Sequence, residues 1–473
     1  MANLIGRETE IADFEKYYRS GHAEFIAVFG RRRVGKTFLV NYLYDEEYAF
    51  SSTGIIDGTK SEELTAFYIS LKRYGFTGKK PKTWMGAFEC LRELLQAKRI
   101  KGKRMVVFID ELPCLATPKS GLVKALDFFW NSWGCRQDEL MLIVCGSATS
   151  WIIRNIIDNR GGLHNRITHE KHLYPFCLGE TKTFLMKQGC RWPDIMILQA
   201  YMVFGGIPYY LSMLDGNLSL AENIDALFFD GDKPLTKEYD RLYKSIFKES
   251  DQYKTVIKAL ASTRKGYSRV ELSKKLKVEN NGHFSDILQD LVNCDFIREY
   301  NTIGKRIRTN NSLFQLTDFY SIFYHTFAEK RVSDTHFWSH TINTPTHNNW
   351  FGLAYERVAM SHIPQILKAL RIDGIHTEYC SWRSANQENG AQIDLVISRA
   401  DNMINICEIK YSAGKYAITK DEAEKIANRL EQFRSETGTK KGIYVTLITS
   451  NGLADNMWKN TANSEVTLSD LMR

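Results

Sequence analysis

The sequence lacks the features that would assign it to a disulfide-rich, zinc-ribbon or membrane class. Its nine cysteines are scattered and form no C-x-x-C pair, which favours a reducing compartment. No apolar run approaches the roughly 20 residues that span a bilayer. The start, MANLIGRETE, has no basic region followed by an apolar one, so no signal peptide is predicted. We therefore expect a cytoplasmic protein with no membrane partner.

The sequence also lacks a strong excess of any residue class. Apolar residues make up 44% and charged residues 25%, as in an average globular protein, which argues against extensive disorder. A chain of 473 residues is too long for one ordinary core, so several domains are expected. The formal net charge of +8 permits contact with nucleic acid but does not require it.

The most informative motif follows an apolar strand predicted at Phe25–Phe29. GRRRVGKT, residues 30–37, matches G-x-x-x-x-G-K-[ST] and precedes FLVNYLY, which fits a helix. Glycines let the loop's N–H groups and the helix N-terminus surround phosphate. Lys36 would reach the β- and γ-phosphates, and the Thr37 hydroxyl would bind Mg²⁺. We predict a site for ATP and Mg²⁺ whose nucleotide contacts come from Gly30, Arg33, Val34, Gly35, Lys36, Thr37 and Phe38.

Two further apolar runs end in polar residues. KRMVVFIDELP, residues 103–113, suits a central parallel strand that ends at Asp110 and Glu111. Asp110 would hold Mg²⁺ through water, and Glu111 would polarise the attacking water. ELMLIVCGSATSW, residues 139–151, places Ser147 after another strand. Its hydroxyl would touch the γ-phosphate or the attacking water, cap the next helix, or do both.

Six segments in a fixed order make the resemblance specific. They are LIGRETEI, GRRRVGKT, VVFIDELP, IVCGSATSW, LHNRITHEKHLYPF and YMVFGGIPYYL. Over about residues 1–240 the chain resembles the AAA+-related, STAND-like ATPase family of archaea and bacteria. The resemblance implies that Ile5–Glu8 packs against adenine and that Arg166 senses the γ-phosphate, in its own subunit or a neighbouring one. It also implies that Gly205–Pro208 lies in a helical lid. A surface ion pair at Arg166 and a plain helix terminator at Gly205–Pro208 are the alternatives.

The middle of the chain predicts a small helical module. Residues 252–263, 268–278 and 282–297 read as three short helices, and a β-hairpin follows. Three helices and a hairpin resemble a winged helix, a module that this ATPase family also tends to carry.

The charged residues of that module give opposing indications about DNA binding. Lys305, Arg306 and Arg308 in the hairpin would contact phosphates. Asp286 and Asp290 are predicted on the exposed side of the third helix, where their charge would repel the DNA backbone. DNA contact and a packing or protein-binding role therefore both stay open.

The C-terminal region predicts a second α/β unit. Residues 334–352 are rich in polar residues and lack a strong period, so they are interpreted as a connection. From there the order of helix, three strands, helix and strand resembles the PD-(D/E)xK nuclease core over about residues 350–455. Glu356 lies on the helix, Asp394 on the second strand, and Glu408 in E-x-K on the third. The usual proline before the aspartate is missing in AQIDLVI.

That resemblance implies a metal site with nuclease chemistry. Asp394 and Glu408, with Glu356 as a further candidate, would hold one or two divalent cations. Lys410 would orient the nucleophilic water or stabilise the charge that develops on phosphorus. The alternative is a buried network of Glu408, Lys410 and Asp394 in a catalytically inactive domain.

These elements predict an α/β fold with four parts. They are a P-loop NTPase (AAA+-like) core with a parallel sheet, a helical lid, a winged helix, and a C-terminal α/β restriction-endonuclease-like domain. We place them at residues 1–175, 176–245, 246–333 and 334–473.

Two functions remain for this chain. One is an ATPase that couples Mg-ATP binding and hydrolysis to a winged helix and a nuclease-like domain acting on DNA. The other is a nucleotide-switched signalling or scaffold ATPase whose C-terminal domain is inactive and binds partners. A metabolic P-loop kinase is disfavoured because no small-substrate constellation is recognisable. A homo-oligomer or a protein partner is compatible with either function.

Overall fold

Residues 4–158, 162–163, 165–263, 266–300, 312–330, 332–384 and 391–473 are described by the computed structural model. The chain forms two compact units. The first comprises Met1–Pro175, Leu242–Ser250 and Asn293–Asp295, and the second comprises Phe176–Arg241, Asp251–Val292 and Phe296–Arg473. No helix within the described stretches is both long and apolar enough to cross a membrane.

A parallel five-stranded sheet organises the first unit. Its strands are β1 (Glu24–Phe29), β2 (Tyr48–Thr53), β3 (Met105–Asp110), β4 (Leu140–Gly146) and β5 (His169–His172). Their order across the sheet is β2-β3-β4-β1-β5, and every neighbouring pair is parallel. Every residue of β1, β3 and β4 is buried. Continuous apolar runs form these interior strands because both faces are covered, so the predicted parallel α/β core is confirmed.

Helices of the first unit begin where local signals favour them. For α3, the Thr59 side chain accepts a bond from the Glu62 N–H, and the Glu62 carboxylate accepts the Thr59 N–H, a reciprocal capping box. The helices are α1 (Glu8–Tyr18), α2 (Lys36–Tyr44), α3 (Lys60–Arg73), α4 (Trp84–Lys98), α5 (Leu112–Leu115), α6 (Leu122–Ser132) and α7 (Thr149–Ile152), with short 3-10 turns at Asp45–Glu47 and Gly134–Arg136 and a π-turn at Ile153–Ile157.

The second unit begins with a run of helices. They are α8 (Leu178–Lys187), α9 (Asp194–Phe204), α10 (Pro208–Leu211), α11 (Leu220–Ile224), a π-turn at Asp225–Phe229, and α12 (Pro234–Ile246), which runs across the boundary at Arg241.

A smaller module follows in the chain. Its elements are α13 (Ser250–Ala261), β6 (Tyr267–Ser268), α14 (Arg269–Leu276), α15 (Gly282–Asn293), β7 (Ile297–Tyr300) and β8 (Leu313–Leu316). The three strands form an antiparallel sheet in the order β6-β8-β7, so β7 is an edge strand. The three helices lie within a few residues of the predicted positions. Lys305, Arg306 and Arg308, predicted to contact phosphates, lie outside the described residues.

The C-terminal part of the second unit contains another five-stranded sheet. Its strands are β9 (Thr377–Arg383), β10 (Gln392–Arg399), β11 (Met403–Lys410), β12 (Gly442–Thr449) and β13 (Ser464–Thr467). The order is β13-β12-β11-β10-β9. β10 is antiparallel to both of its neighbours, whereas β11, β12 and β13 run parallel.

The remaining helices of the second unit precede, separate or follow these strands in the chain. They are α16 (Phe319–Phe323), a π-turn at Tyr324–Ala328, α17 (Phe337–Thr341), α18 (Pro345–Ser361), α19 (Ile363–Ala369), α20 (Lys420–Thr437) and α21 (Leu468–Leu471), with a 3-10 turn at Lys459–Thr461. Phe433 of α20 packs edge-on against Trp382 of β9, with ring centroids 5.3 Å apart. Ile426 of the same helix packs with Val445 and Leu447 of β12. This amphipathic helix therefore covers one face of the sheet.

The interpretation of residues 334–352 as a connection is wrong. The segment contains α17 and the start of α18, and Trp338 is 2% exposed. The Trp338 ring lies 5.1 Å from the Phe323 ring and 5.8 Å from the Trp350 ring. The Asp225 carboxylate accepts the Trp338 N–H at 2.7 Å. A few large aromatic side chains bury this segment, although they are too sparse to produce a visible period.

Acid pH is expected to destabilise the second unit through His362. This side chain is 1% exposed, its Nε2 accepts the Leu178 N–H at 2.9 Å, and its Nδ1 lies 2.8 Å from the Val358 carbonyl. Burial lowers the pKa of His362 to about 4, from an ordinary value of 6.5. Because the unfolded chain binds this proton first, stability present above pH 6.5 is lost as the pH falls. The loss should be about 2 kcal/mol between pH 7.5 and pH 5.

Urea unfolding at several pH values measures this effect. His362→Gln should remove most of that pH dependence, whereas His336→Gln, at an exposed histidine, should leave it unchanged. An unaltered pH profile in His362→Gln would show that other groups govern acid stability.

Candidate functional site

The phosphate loop joins β1 to α2. Gly30 has φ 138°, and a Cβ there would lie 2.3 Å from the Leu173 carbonyl oxygen, so only glycine fits. Gly35 has φ 94° and immediately precedes the first turn of α2. Lys36 is 5% exposed, and its Nζ donates to the carbonyls of Gly30 and Arg31 at 2.8 and 2.9 Å. The loop therefore holds the lysine charge on its own backbone, at the carboxyl edge of the sheet.

The remaining loop residues differ in exposure. Val34 is 1% exposed, whereas Arg33 is partly exposed and has φ 73°. Phe38, on the first turn of α2, is 46% exposed. The backbone of Arg33 and Val34 thus belongs to the loop, while the Phe38 ring faces away from the core.

Thr37 and Asp110 meet beside this loop. The Thr37 hydroxyl donates to the Asp110 carboxylate at 2.9 Å. Asp110 is 4% exposed, and burial together with the nearby charge of Glu111 raises its pKa. A hydroxyl and a carboxylate oxygen are ligands that suit Mg²⁺. These two side chains therefore fit the predicted magnesium site.

Glu111 and Ser147 form a second pair at the same edge. The Ser147 hydroxyl lies 2.8 and 3.0 Å from the two Glu111 carboxylate oxygens, and the Ser147 N–H donates at 3.1 Å. Glu111 has φ 46°, in the left-handed region that costs energy for a side chain other than glycine. Ser147 makes no side-chain cap for α7, which begins after Ala148. The serine thus orients Glu111.

Arg166 lies at the opposite edge of the sheet. Its N–H donates to the Leu163 carbonyl at 3.0 Å, and two residues later the Thr168 N–H donates to Phe25 at the start of β1. From Phe25 to the end of β1 at Phe29 is about 13 Å. Arg166 is exposed and makes no ion pair with any described residue. This position separates it from the phosphate loop of its own chain.

The predicted lid motif, Gly205–Pro208, lies in the second unit, between α9 and α10. Gly205 ends α9 with φ 64°, and its N–H donates to the Tyr201 carbonyl. A Cβ on Gly206 would lie 1.9 Å from the Phe176 carbonyl oxygen. Pro208 begins α10. Within this unit the motif acts as a helix terminator and a site of close backbone approach.

In the C-terminal sheet, Glu408 is held by two cations. Its side chain is 8% exposed, and one carboxylate oxygen is bonded by Arg429 Nη1 of α20. The other carboxylate oxygen lies 3.8 Å from Lys410 Nζ. Glu408 and Lys410 therefore share a face of β11, as their spacing predicts, and Arg429 completes the ion-pair network.

Asp394 and Glu356 meet in a different place. The pairing of Leu395 with Cys407 sets Asp394 beside Glu408 in the next register step. Asp394 nevertheless accepts a bond from Gln392 at 2.9 Å and, with Glu356, lines a cavity of about 30 Å³. Neither Glu408 nor Lys410 lines that cavity. Asp394 and Glu356 therefore share a cavity, while the printed partners of Glu408 are Arg429 and Lys410.

The metal predicted for this domain does not fit that arrangement. Among the described residues, no group of three or more His, Cys, Asp or Glu side chains is placed to hold a metal ion. Glu408 already has Arg429 and Lys410 against its two oxygens. We derive no metal-dependent step at this site.

The prediction that Asp290 lies on the exposed side of α15 is wrong. Asp290 is 7% exposed and accepts a hydrogen bond from the Tyr253 hydroxyl at 2.8 Å. Asp286, His283 and Gln289 are exposed. Only one of the two predicted repelling carboxylates therefore faces solvent.

Residues 4–214 match the model of the ATPase_2 family, an ATPase domain predominantly from Archaea. This region is an ATPase domain. An uncharacterized protein of Methanocaldococcus jannaschii is 21% identical over 412 residues, which cover 86% of this chain and 87% of that protein.

Two solved structures are similar to about two thirds of the chain. A Walker-type ATPase of Pyrococcus abyssi is 17% identical, with a TM-score of 0.48, and covers 68% of this chain and 96% of its own. The ORC2 protein of Aeropyrum pernix, in ADPNP–ADP complexes, is 13% identical, with a TM-score of 0.42, and covers 68% and 93%. With TM-scores this low, neither superposition bears on what this chain binds.

The sequence did not predict the contacts of two buried or partly buried arginines, Arg7 and Arg429. Arg7, in the ATPase domain, is 5% exposed and donates to the carbonyls of Val34 and Tyr174 at 3.2 and 2.7 Å. The resemblance assigned its segment to adenine without identifying this link to the phosphate loop. Arg429 follows Ile426 by three residues on α20. Helical spacing alone would have placed it near the buried face.

Proposed function

We propose that this protein binds and hydrolyses Mg-ATP in its N-terminal ATPase domain and uses the nucleotide state to control an action on DNA. Two hydrogen-bonded pairs of side chains near Lys36 support the proposal. They are Thr37 with Asp110 and Ser147 with Glu111. The pairs supply a cation site and a carboxylate base next to a phosphate-binding loop.

The four side chains at this site have distinct proposed roles. Lys36 exchanges the Gly30 and Arg31 carbonyls for phosphate oxygens when nucleotide enters. Thr37 and Asp110 would hold Mg²⁺, which, when bound, neutralises phosphate charge. Glu111 accepts a proton from the attacking water.

Ser147 and Arg166 complete the proposed site. The Ser147 hydroxyl and N–H keep the Glu111 carboxylate in one orientation. Arg166 is proposed to act on the γ-phosphate of a neighbouring copy, because its own phosphate loop lies beyond the far end of β1.

DNA action is proposed for the second unit. The three helices and three-stranded sheet of the middle module support a winged-helix assignment, and α15 exposes the polar side chains of His283 and Gln289. These groups are suited to contacts with base edges or phosphates. The net charge of +8 favours association with a polyanion.

The second candidate function is a nucleotide-switched scaffold. It is favoured by the pairing of Glu408 with Arg429 and Lys410, because a carboxylate neutralised in this way serves the fold. In this case the C-terminal domain, with its nuclease-like order of elements, would bind a partner without cutting DNA.

Steady-state ATP hydrolysis, with and without duplex DNA, tests the proposed function. Wild-type protein should hydrolyse ATP in Mg²⁺, and DNA should change the rate. Asp110→Asn should lower turnover by about 100-fold or more, because cation neutralisation of the phosphates is weakened.

Asp57→Asn is the matched control, because Asp57 is exposed on a loop, and it should behave like wild type. Turnover that is insensitive to DNA, in a protein that does not bind duplex DNA, would reject the DNA part and favour the scaffold. Normal turnover in Asp110→Asn would reject the cation site.

A further inference from the structure

Arg7 joins two separate backbone segments of the first unit. Arg7 is 5% exposed. One terminal nitrogen, Nη2, donates to the Val34 carbonyl at 3.2 Å and to the Tyr174 carbonyl at 2.7 Å. The other terminal nitrogen, Nη1, lies 3.5 Å from the Glu10 carboxylate on α1. Arg7 therefore links the phosphate loop, through Val34, to the segment that follows β5, through Tyr174.

The segment that ends at Tyr174 is a firm support beside the loop. Leu173 extends the pairing of β5 with β1, because its N–H donates to the carbonyl of the last residue of β1 at 2.7 Å. The Leu173 carbonyl oxygen lies against the start of the phosphate loop, since a Cβ on Gly30 would be only 2.3 Å from it. Arg7 extends this support further along the loop, to Val34.

The carbonyl of Val34 and the N–H of Gly35 belong to one peptide unit. The Val34 side chain is buried, at 1% exposed, and Arg7 holds its carbonyl, so this unit is fixed on both sides. A trans peptide is planar, and its C=O and N–H point in opposite directions. The Gly35 N–H is therefore directed away from Arg7. In a loop of this motif the backbone N–H groups surround the phosphates.

We propose that Arg7 is a positioning residue for the phosphates of ATP, because it fixes the peptide whose Gly35 N–H bonds a phosphate oxygen. This inference rests on the proposed ATP site and adds a residue that acts through the loop. A donor that is already oriented binds more tightly, since less conformational freedom is lost when the ligand enters. The resemblance to known ATPases implies a different role for Ile5–Glu8, at the adenine. The two roles act on different parts of the ligand.

Equilibrium binding of a fluorescent ATP analogue, with tripolyphosphate as the competitor, tests this role. Arg7→Met keeps the apolar stem of the side chain but removes its donors. It should bind the analogue at least about tenfold more weakly than wild type. Tripolyphosphate should lose affinity by the same factor, because it has the phosphates without the base. Turnover at saturating ATP should stay within about twofold of wild type, as expected when only ground-state binding is weakened.

A conservative variant separates positioning from folding. Arg7→Lys should restore affinity to within about threefold of wild type, because an ammonium group has three N–H donors and a single nitrogen makes both carbonyl bonds in the wild type. Arg19→Met is the matched control, since Arg19 is an exposed arginine just after α1. It should bind and hydrolyse ATP as wild type does. Thermal unfolding identifies the variants that are folded.

Several results would overturn the positioning role. Unchanged binding of both ligands in folded Arg7→Met is one, and equal weakening in Arg19→Met is another. Weaker binding of the analogue with normal binding of tripolyphosphate would place Arg7 at the base. An affinity as weak in Arg7→Lys as in Arg7→Met would show that the donors are not what matters. If Arg7→Met does not fold, Arg7→Gln, with its shorter side chain, is judged by the same results.

Wild-type protein separates this inference from the proposed function. Wild type that binds no ATP analogue would reject the ATP site itself. Wild type that binds the analogue but does not release it to tripolyphosphate would keep the ATP site and overturn the role of Arg7 in holding the phosphates. Normal binding in wild type with the expected losses in Arg7→Met supports both.

Discussion

Lys36→Ala is expected to lose ATP binding and turnover while the protein stays folded. The lysine is the cation of the phosphate loop, and charge-assisted hydrogen bonds to phosphate contribute about 1.5–3 kcal/mol each. Loss of two such bonds predicts an affinity at least about 100-fold weaker. Equilibrium binding of a fluorescent ATP analogue and phosphate release together measure the change.

A stability effect and a control variant accompany the Lys36→Ala prediction. Lys36 donates hydrogen bonds to two loop carbonyls, so a small loss of thermal stability is expected as well. Lys79→Ala, at an exposed lysine, should bind and hydrolyse ATP normally. Hydrolysis at the wild-type rate in Lys36→Ala would mean that the phosphate loop has been assigned to the wrong residues.

Glu111→Gln should separate ATP binding from hydrolysis. Glutamine keeps the shape of the side chain and can still accept a hydrogen bond from Ser147, but it cannot take a proton from water. Loss of a general base predicts a turnover about 10²–10⁴-fold slower, with little change in ATP affinity. Single-turnover hydrolysis, measured alongside equilibrium binding, distinguishes the two effects.

The matched variant is Glu93→Gln, because Glu93 is exposed on α4. Its turnover should equal that of wild type. If Glu111→Gln retained most of its activity, another group would have to activate the water, and the contact between Glu111 and Ser147 would serve only the fold.

The ATPase core was largely predictable because its signals are local. GRRRVGKT joins a strand to a helix, and the motif places Lys36 and Thr37 at the first two positions of α2. The apolar run before Asp110 predicted a central parallel strand, since such runs are covered on both faces, and the structure sets it beside the strand that ends before Ser147. Parallel strands bring their carboxyl ends to one edge, so the pairing of these side chains follows from the topology.

The partners of the C-terminal carboxylates were not predictable in the same way. E-x-K placed Glu408 and Lys410 on one face of β11, but the cation closest to Glu408 is Arg429, on a helix that follows. Arg298, one of two arginines that line the cavity with Asp394, comes from β7, almost a hundred residues earlier in the chain. The sequence pattern around a carboxylate does not reveal which charged side chain of a distant element will contact it.

Residue order alone was enough for the parallel sheet of the first unit, its phosphate loop and the carboxylates at the end of β3, because each depends on a run of neighbouring residues. Packing between distant segments decided the rest: the edge on which Arg166 lies, the burial of Trp338 and Asp290, and the pairing of Glu408 with Arg429. Electrostatic pairing acts through space over a few ångströms, so it depends on which elements the fold brings together and not on their separation along the chain.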